Sequence, residues 1–430
     1  MSNHKFSKKE QDAYREELAS AMEDAAQFTI EYFEALKAAL PNATVAQLRD
    51  AGIEAMQMSL NAFGPQAAEL ACELFETLCE RQGIDVSSKL YQTIEQGLLD
   101  KKVRYFAQNL VNDDEAKFRQ QLASLTRYYV FREANSNMLR NCWKNNVKYA
   151  RVPSGIETCG FCFMLSTRGF DYESKRSAGG DGNSFHVNCD CIIVPGLKND
   201  DIDGYSPEFL KQEMIRMQQS YGVDFSERGD QKKISYILKS RQYAQGLIVD
   251  ANLIDNRVTS MLKALESDSA KLTGLDFRIK SEPSLERKIY EDSKSSNAAP
   301  KNVSFGINDV LRYTYIVDND SFAEDYFTIM NSLEEQGCRP VKIKNTLKDK
   351  QAIYRGVNTV ISTGNGENFE LQFHTEESFD VKQNQNHSLY ELFRLSATPE
   401  SEKEELARQM VENSSAIKTP SGVEKIGGVG

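Results

Sequence analysis

Of 430 residues, only eight are cysteine, four are histidine, ten are proline and one is tryptophan. Eight cysteines are too few for a disulfide scaffold in a chain of this length, and four of them cluster. The four histidines are His4, His186, His374 and His387, too few and too scattered for a multi-histidine metal centre. No apolar run is long enough to span a bilayer, and the opening MSNHKFSKKEQDAYREE lacks the apolar stretch of a signal peptide. The expectation is a chain made and kept in a reducing cytosol, with no membrane partner. Positive charge is outnumbered, 52 Lys and Arg against 63 Asp and Glu: a net charge of -11 argues against wholesale coating of nucleic acid and leaves room for a local basic pocket. There is neither a low-complexity tract nor an internal repeat.

What is present is a globular composition, 40% apolar and 27% charged, in a chain long enough for two or three domains. Residues 1–148 read as a helical region, with apolar residues at three- and four-residue spacing such as Ala25, Phe28, Tyr32, Leu36 and Leu40. Pro41-Asn42 breaks the first long helix, Thr44 is a cap for the next, and Phe63-Gly64-Pro65 and Gly83 punctuate further. Residues 149–197 are rich in Gly, Ser, Cys and Pro, 198–249 form a helical connector, and 250–430 alternate short strands with helices. That last texture predicts an α/β or α+β domain, ending in a loose Gly-rich tail after Lys418.

Cys159-Gly160-Phe161-Cys162 is followed by His186, Cys189 and Cys191. Two thiols separated by two residues grip one ion from a tight turn, and a second knuckle with His and Cys completes a tetrahedron suited to structural Zn²⁺. Five ligands compete for four positions, and the spacing does not choose between Cys189 and Cys191. The alternative is a small β-rich module with buried free thiols. The strings ARVPSGIETCGFCFMLSTRG and FHVNCDCIIVP resemble the minor head, or head-morphogenesis, proteins of tailed phages, the phage Mu F-like family, over roughly residues 100–197. The resemblance implies a location in the virion or the bacterial host cytoplasm, and portal and capsid proteins as partners. Some members of that family carry unrelated C-terminal toxin domains.

Four strings in the last third carry the chemistry: FRIKSEPSLERKI from Phe277, NDVLRYTYIV from Asn308, YRGVNTVIST from Tyr354 and FELQFHT from Phe369. Read as a strand, FRIK puts Phe277 and Ile279 on one face and Arg278 and Lys280 on the other. Ser281 then caps a helix on which Ser284 and Lys288 share a face while Leu285 and Ile289 turn to the core. A helix start beside Arg278, Lys280 and Lys288 is an anion site fit for a triphosphate. In FELQFHT, Glu370, Gln372 and His374 share the face opposite Phe369, Leu371 and Phe373. Asp309 and Glu370 near such a cradle would bind Mg²⁺. Tyr354, with Gly356 beside it, offers a plate for a nucleobase, Asn358 an amide for a base edge, and Arg355 falls on the opposite face.

The order of these strings resembles the synthetase domain of the RelA/SpoT family of nucleotide pyrophosphokinases over roughly residues 250–400. Its basic motif is matched by Arg278, Lys280, Ser284 and Lys288, its aspartate by Asp309, and its glutamate strand by Glu370, Gln372 and His374. The resemblance implies a nucleotidyltransferase-like α+β fold with a mixed sheet that transfers pyrophosphate from ATP to a ribose 3′-hydroxyl. Arg278, Lys280, Ser284 and Lys288 would hold ATP, and Asp309 and Glu370 would be catalytic and hold Mg²⁺. The acceptor side would comprise Tyr354, Arg355, Asn358, Gln372 and His374. Asn358 stands where the family has histidine, Ile353 where it has glycine and His374 where it has arginine, so the acceptor stays open between GDP or GTP, an adenine nucleotide and the tRNA 3′ end. A growth-arresting toxin with an antitoxin or immunity partner follows from the same resemblance; a hydrolase activity does not. The rival expectation is a structural head protein whose C-terminal domain is an inactive nucleotide-binding or interaction module.

Overall fold

The computed structural model describes residues 5–91, 96–153, 158–171, 191–394 and 398–427. The chain divides into two compact units, Met1–Ser235 and Tyr236–Gly430. His186 and Cys189, expected as metal ligands, lie outside the described residues. Among the described residues no helix is long and apolar enough to cross a membrane.

The first unit is built on three long helices, α1 (Lys8–Ala38), α2 (Val45–Arg81) and α5 (Glu115–Lys144), with the shorter α3 (Gln96–Phe106) and α4 (Gln108–Val111) between the last two. Ser7 and Thr44 open α1 and α2 with reciprocal capping boxes to Glu10 and Gln47. The core is aromatic and aliphatic, with Phe33, Phe75, Phe118, Leu122 and Tyr129 all buried. The expected break at Phe63-Gly64-Pro65 does not occur, because α2 runs through Pro65. Proline removes one backbone donor, but Leu60, Gly64, Ala67, Ala68 and Ala71 around it are buried and packing holds the helix together.

A polar ladder on α5 fastens the loop that follows α2. Asn137 accepts from the Tyr91 N–H at 2.7 Å and donates to the Tyr91 carbonyl at 3.0 Å, and Asn141 does the same to Lys89 at 2.8 and 3.0 Å. Asn145 donates to the Ser87 carbonyl at 3.4 Å. Four residues of helix rise about 6 Å and two extended residues about 6.6 Å, so the steps match and carboxamides substitute for a neighbouring strand.

The unit closes with β1 (Tyr149–Val152), α6 (Gly160–Ser166) and β2 (Ile192–Pro195), then α7 (Pro207–Tyr221), capped by left-handed Gly222. β1 and β2 pair antiparallel. The Sγ atoms of Cys162 and Cys191 are 3.3 Å apart, and Cys159 Sγ accepts the Cys162 N–H at 3.3 Å. The buried Arg151 guanidinium is 3.6 Å from Cys191 Sγ. No cluster of three or more metal-ligating side chains occurs among the described residues.

Helix α8 (Gln231–Lys263) leads into the second unit, a mixed five-stranded sheet with helices. Strand order is β3-β4-β7-β6-β5, from β3 (Ala270–Thr273), β4 (Arg312–Val317), β5 (Arg339–Asn345), β6 (Val357–Ser362) and β7 (Asn368–His374). Only the β4–β7 pair is parallel. Between these strands and after them come α9 (Glu282–Ser296), α10 (Pro300–Ser304), α11 (Phe322–Glu335), α12 (Glu376–Asp380), a π-helical turn at Val381–Gln385, α13 (His387–Phe393) and α14 (Glu400–Ser415). Tyr313, Tyr315, Phe369, Leu371 and Phe373 alternate onto the buried face, together with Tyr326 of α11.

Two expectations fail here. FRIK is not a strand: a short 3₁₀ turn ends at Phe277, only Ile279 bridges to Leu311, and Phe277 is 73% exposed. The described part of the tail after Lys418, residues 419–427, is not loose, since Val423 and Ile426 are buried and their carbonyls each accept from Asn345 Nδ2 at 2.8 Å. Two apolar side chains with a matched polar anchor outweigh the glycines around them.

Candidate active site

The polar face of the sheet presents residues in rows. Cross-strand register places Arg312 beside Glu370, Thr314 beside Gln372, and Asn358 beside Gln372 from the other flank. The segment Arg278–Lys280 approaches the head of β4: Lys280 N–H donates to the Val310 carbonyl at 2.9 Å and Arg312 N–H to the Arg278 carbonyl at 2.7 Å. Lys280 is thereby brought to Asp309, at 2.7 Å from Oδ2, and Lys288 of α9 reaches the same carboxylate at 3.2 and 3.3 Å. Burial would raise the Asp309 carboxyl, but the two ammonium groups hold it below the usual carboxylate range. Burial pulls Lys280 down against the attraction of Asp309. Ser284 sits at the start of α9 and receives the Ser281 hydroxyl at 3.0 Å.

Arg278 is the exception in this cradle. Its guanidinium clamps Asp255 of α8 with Nε and Nη2 at 2.6 and 2.7 Å, and its Nη1 donates to the Leu275 carbonyl at 2.6 Å. Asp255 also accepts from the Tyr313 hydroxyl at 3.0 Å, on the buried face of β4. The sequence gives no cue to Asp255, which lies mid-helix, 23 residues upstream of Arg278.

Glu370 is held by two carboxamides. Asn358 Nδ2 donates to Oε1 at 3.0 Å and Gln372 Nε2 to Oε2 at 2.6 Å. Because an ionised carboxylate only accepts, both amides must turn their NH₂ groups inward, and their carbonyl oxygens are then free to accept from outside. Asn358 Oδ1 takes the Tyr354 hydroxyl at 2.5 Å, so Tyr354 in turn accepts from His374 Nε2 at 2.8 Å. That fixes the Nε2–H tautomer, with Nδ1 accepting from Ser378 Oγ at 2.9 Å. Burial and the nearby Lys382 charge keep His374 well below its usual 6.5, and burial with Glu370 nearby raises Tyr354 well above 10.0. Gly356 is required here: a Cβ would meet His374 Cε1 at 2.6 Å and the Tyr354 hydroxyl oxygen at 2.7 Å.

On the outer side Gln372 Oε1 accepts from Lys382 Nζ at 2.7 Å and, more weakly, from Thr314 Oγ1 at 3.4 Å. Lys382 projects from the π-helical turn and stands 5.9 Å from the Tyr354 ring centroid. Arg312 and Lys382 form no ion pair among the described residues, and Arg312 acts electrostatically on Lys280, Tyr354 and Lys382. It stands at the head of β4, in register with Glu370. Sequence reasoning passed over both cations, although LRYTYIV shows Arg312 at the strand head.

Arg355 points away from this face. Fully buried, it donates to the carbonyls of Leu347, Ser414 and Ile417 and to Thr419 Oγ1, tying the C-terminal segment to the sheet. All its described contacts are structural, in place of the acceptor contact expected of it.

Asp309 and Glu370 are oxygen donors of the kind Mg²⁺ takes alongside nucleotide phosphates. Glu370 keeps lone pairs beyond its two amide contacts, whereas Asp309 would have to share its carboxylate with Lys280 and Lys288. The donor set fits an ion brought in with phosphates that draw those lysines off.

A family model described as VG15 protein matches residues 5–217. No curated protein matches the sequence. Among solved structures, the chain is similar to the complex of the Type VI effector Tas1 with its immunity protein at 20% identity, covering 44% of this chain and 97% of that one, with a TM-score of 0.29. It is similar to a GTP pyrophosphokinase family protein from Streptococcus pneumoniae at 18% identity, covering 40% of this chain and 84% of that one, with a TM-score of 0.25. Small alarmone synthetase 1 from Bacillus subtilis is similar at 17% identity over 40% of this chain and 87% of that one, again with a TM-score of 0.25.

Proposed function

We propose that the second unit transfers the terminal diphosphate of ATP to a ribose hydroxyl of a nucleotide or of a tRNA 3′ end, and that it does so as a growth-inhibiting toxin. The observation that carries this reading is a pair of clusters, one gathered before the head of β4 and one on β7, with Arg312 acting electrostatically on groups of both. Lys280 and Lys288 converge on Asp309, and Glu370, oriented by two carboxamides, stands in register with Arg312. Basic side chains over a carboxylate suit a triphosphate, and an acceptor-only carboxylate beside them suits a hydroxyl nucleophile.

In this reading the acceptor oxygen attacks the β-phosphorus of ATP, the bond from that phosphorus to the α,β-bridging oxygen breaks, and AMP leaves with the bond's electrons. The hydroxyl proton passes to Glu370. Lys280 and Lys288 hold the phosphates with Ser284 at the helix start, and Arg312 faces the developing charge. Tyr354 supports the acceptor base, with Asn358, Gln372 and His374 keeping Glu370 and Tyr354 in place. Mg²⁺ bound at Asp309 and Glu370 with the nucleotide would supply charge neutralisation. Arg355 has no part in this assignment.

The test is transfer of label from γ-labelled ATP to GDP, GTP, an adenine nucleotide or tRNA by the full-length chain. Glu370→Gln is expected to lower the rate at least ~100-fold with the fold intact; an unchanged rate would remove Glu370 from the chemistry. One observation favours a second reading, an inactive nucleotide-binding or interaction module: Arg278 is already clamped by Asp255. Arrest of growth on expression, relieved by Asp309→Ala, separates the two; equal harmlessness of both chains supports the second.

For the first unit, the companion proposal is a phage head-morphogenesis part docking on portal or capsid, with an immunity protein as partner of the second unit. Structural zinc held by Cys159, Cys162 and His186, with Cys189 or Cys191 as the fourth ligand, belongs to the same proposal. Metal analysis of the purified chain checks it, with one zinc per chain expected and none contradicting it.

A further inference from the structure

The hydrogen-bond order around Glu370 has two ends. One runs through the half-buried Asn358 and Tyr354 to the buried His374 and Ser378, all neutral. The other runs through Gln372 and ends on a single charged group. We propose that Lys382 is a positioning residue for Glu370: its ammonium fixes the amide of Gln372 so that the NH₂ group faces the carboxylate, and the site is competent only while that charge is present. The catalytic consequence rests on the transfer reading above; the positional claim does not.

The argument is geometric. Gln372 can hold its present orientation only if its carbonyl oxygen is satisfied on the far side. Lys382 Nζ provides the strong contact at 2.7 Å and Thr314 the weak one at 3.4 Å. Turned the other way, the Gln372 carbonyl would face Glu370 Oε2 at hydrogen-bond distance, two acceptors in contact. An ammonium cannot accept, so a charged Lys382 permits one orientation only. A neutral amine both donates and accepts, so the outer constraint is lost and Glu370 alone is left to orient the amide. The groups facing Lys382 are Arg312 on β4, Glu370, Gln372 and His374 on β7, Tyr354 before β6, and the Phe379 ring, 5.5 Å away on the preceding helix. Burial first, then the Arg312 charge, pulls Lys382 down to about 8, against the attraction of Glu370. The switch therefore falls within reach of ordinary pH.

The experiment uses the full-length chain labelled with ¹⁵N at glutamine, the Gln372 amide signals being assigned by their loss in Gln372→Leu. In the native chain the Gln372 NH₂ protons are expected to be protected from solvent exchange below about pH 8 and to lose protection above it. Lys382→Arg, which stays charged, should keep them protected at higher pH, and Lys382→Met should lose protection at every pH. Amide signals unchanged in Lys382→Met would overturn the proposal. In the transfer assay, Lys382→Met should lower kcat by about 10- to 100-fold. KM for ATP should stay within about twofold, with Lys382→Arg restoring the rate. A native chain that transfers nothing refutes the transfer reading and leaves the amide measurement to decide the positional claim.

Discussion

At the scale of single residues, charge placement decides what each group does. His374 binds a proton more weakly in the folded chain than in the unfolded one, where its usual value is 6.5. Stability is therefore fully present above that pH and falls as pH drops, because only the unfolded state takes up the proton. Urea melts between about pH 5 and 7.5 should show that slope, and His374→Gln should flatten it. Lys382 works in the same direction, in a higher pH window. Its folded value of about 8 lies below the usual 10.5, so holding the charge costs stability below pH 8, and the cost is relieved as pH climbs towards 10.5. Lys382→Met is expected to stabilise the fold by ~1–3 kcal/mol at neutral pH while transfer declines, a divergence that melting curves and rates measured together would reveal. Gly356→Ala should destabilise by ~1–3 kcal/mol, since the added methyl must displace His374 or Tyr354. Much of this was legible: Glu370, Gln372 and His374 share a face as period-two alternation requires. Arg355 was not, because its partners Leu347, Ser414, Ile417 and Thr419 come from loops and the C-terminal segment.

Elements carry a different lesson. The helix boundaries at Thr44, Gly83 and Gly222 follow local signals that the chain obeys, a capping box and two left-handed glycines. Pro65 is a local signal that the chain overrides, because burial along both sides of α2 outweighs one missing hydrogen bond. FRIK reads as a strand by alternation, yet its neighbour Gly274 adopts the left-handed conformation and starts a 3₁₀ turn that leaves Ile279 a single bridge. The asparagine ladder of α5 has no counterpart in pattern rules, since it depends on helix rise matching strand rise. Asn141→Ala should destabilise the first unit by ~1–3 kcal/mol, leaving the Lys89 N–H and carbonyl without their partner. Hydrogen exchange at Lys89 should accelerate in that variant while α1 stays protected; uniform acceleration would contradict a local role.

For the whole molecule, an acidic chain carries a cationic site. The net charge is -11, yet Lys280 and Lys288 meet at Asp309, and Arg312 and Lys382 accompany Glu370. Such a site attracts small phosphorylated ligands, and transfer should weaken with rising salt as counter-ions screen it. The helical character of the first unit and the alternation of strands and helices in the second were readable from periodicity, whereas the mixed order of the sheet was not. The Asp255–Arg278 clamp was not, since it joins a helix to a turn across the unit's core edge. The most direct measurement of the central claim compares ATP labelled on its α- or γ-phosphate, incubated with the full-length chain and each acceptor. The account expects the γ label to move to the acceptor and the α label to remain in AMP; an acceptor that gains the α label, or no label from either, would contradict it.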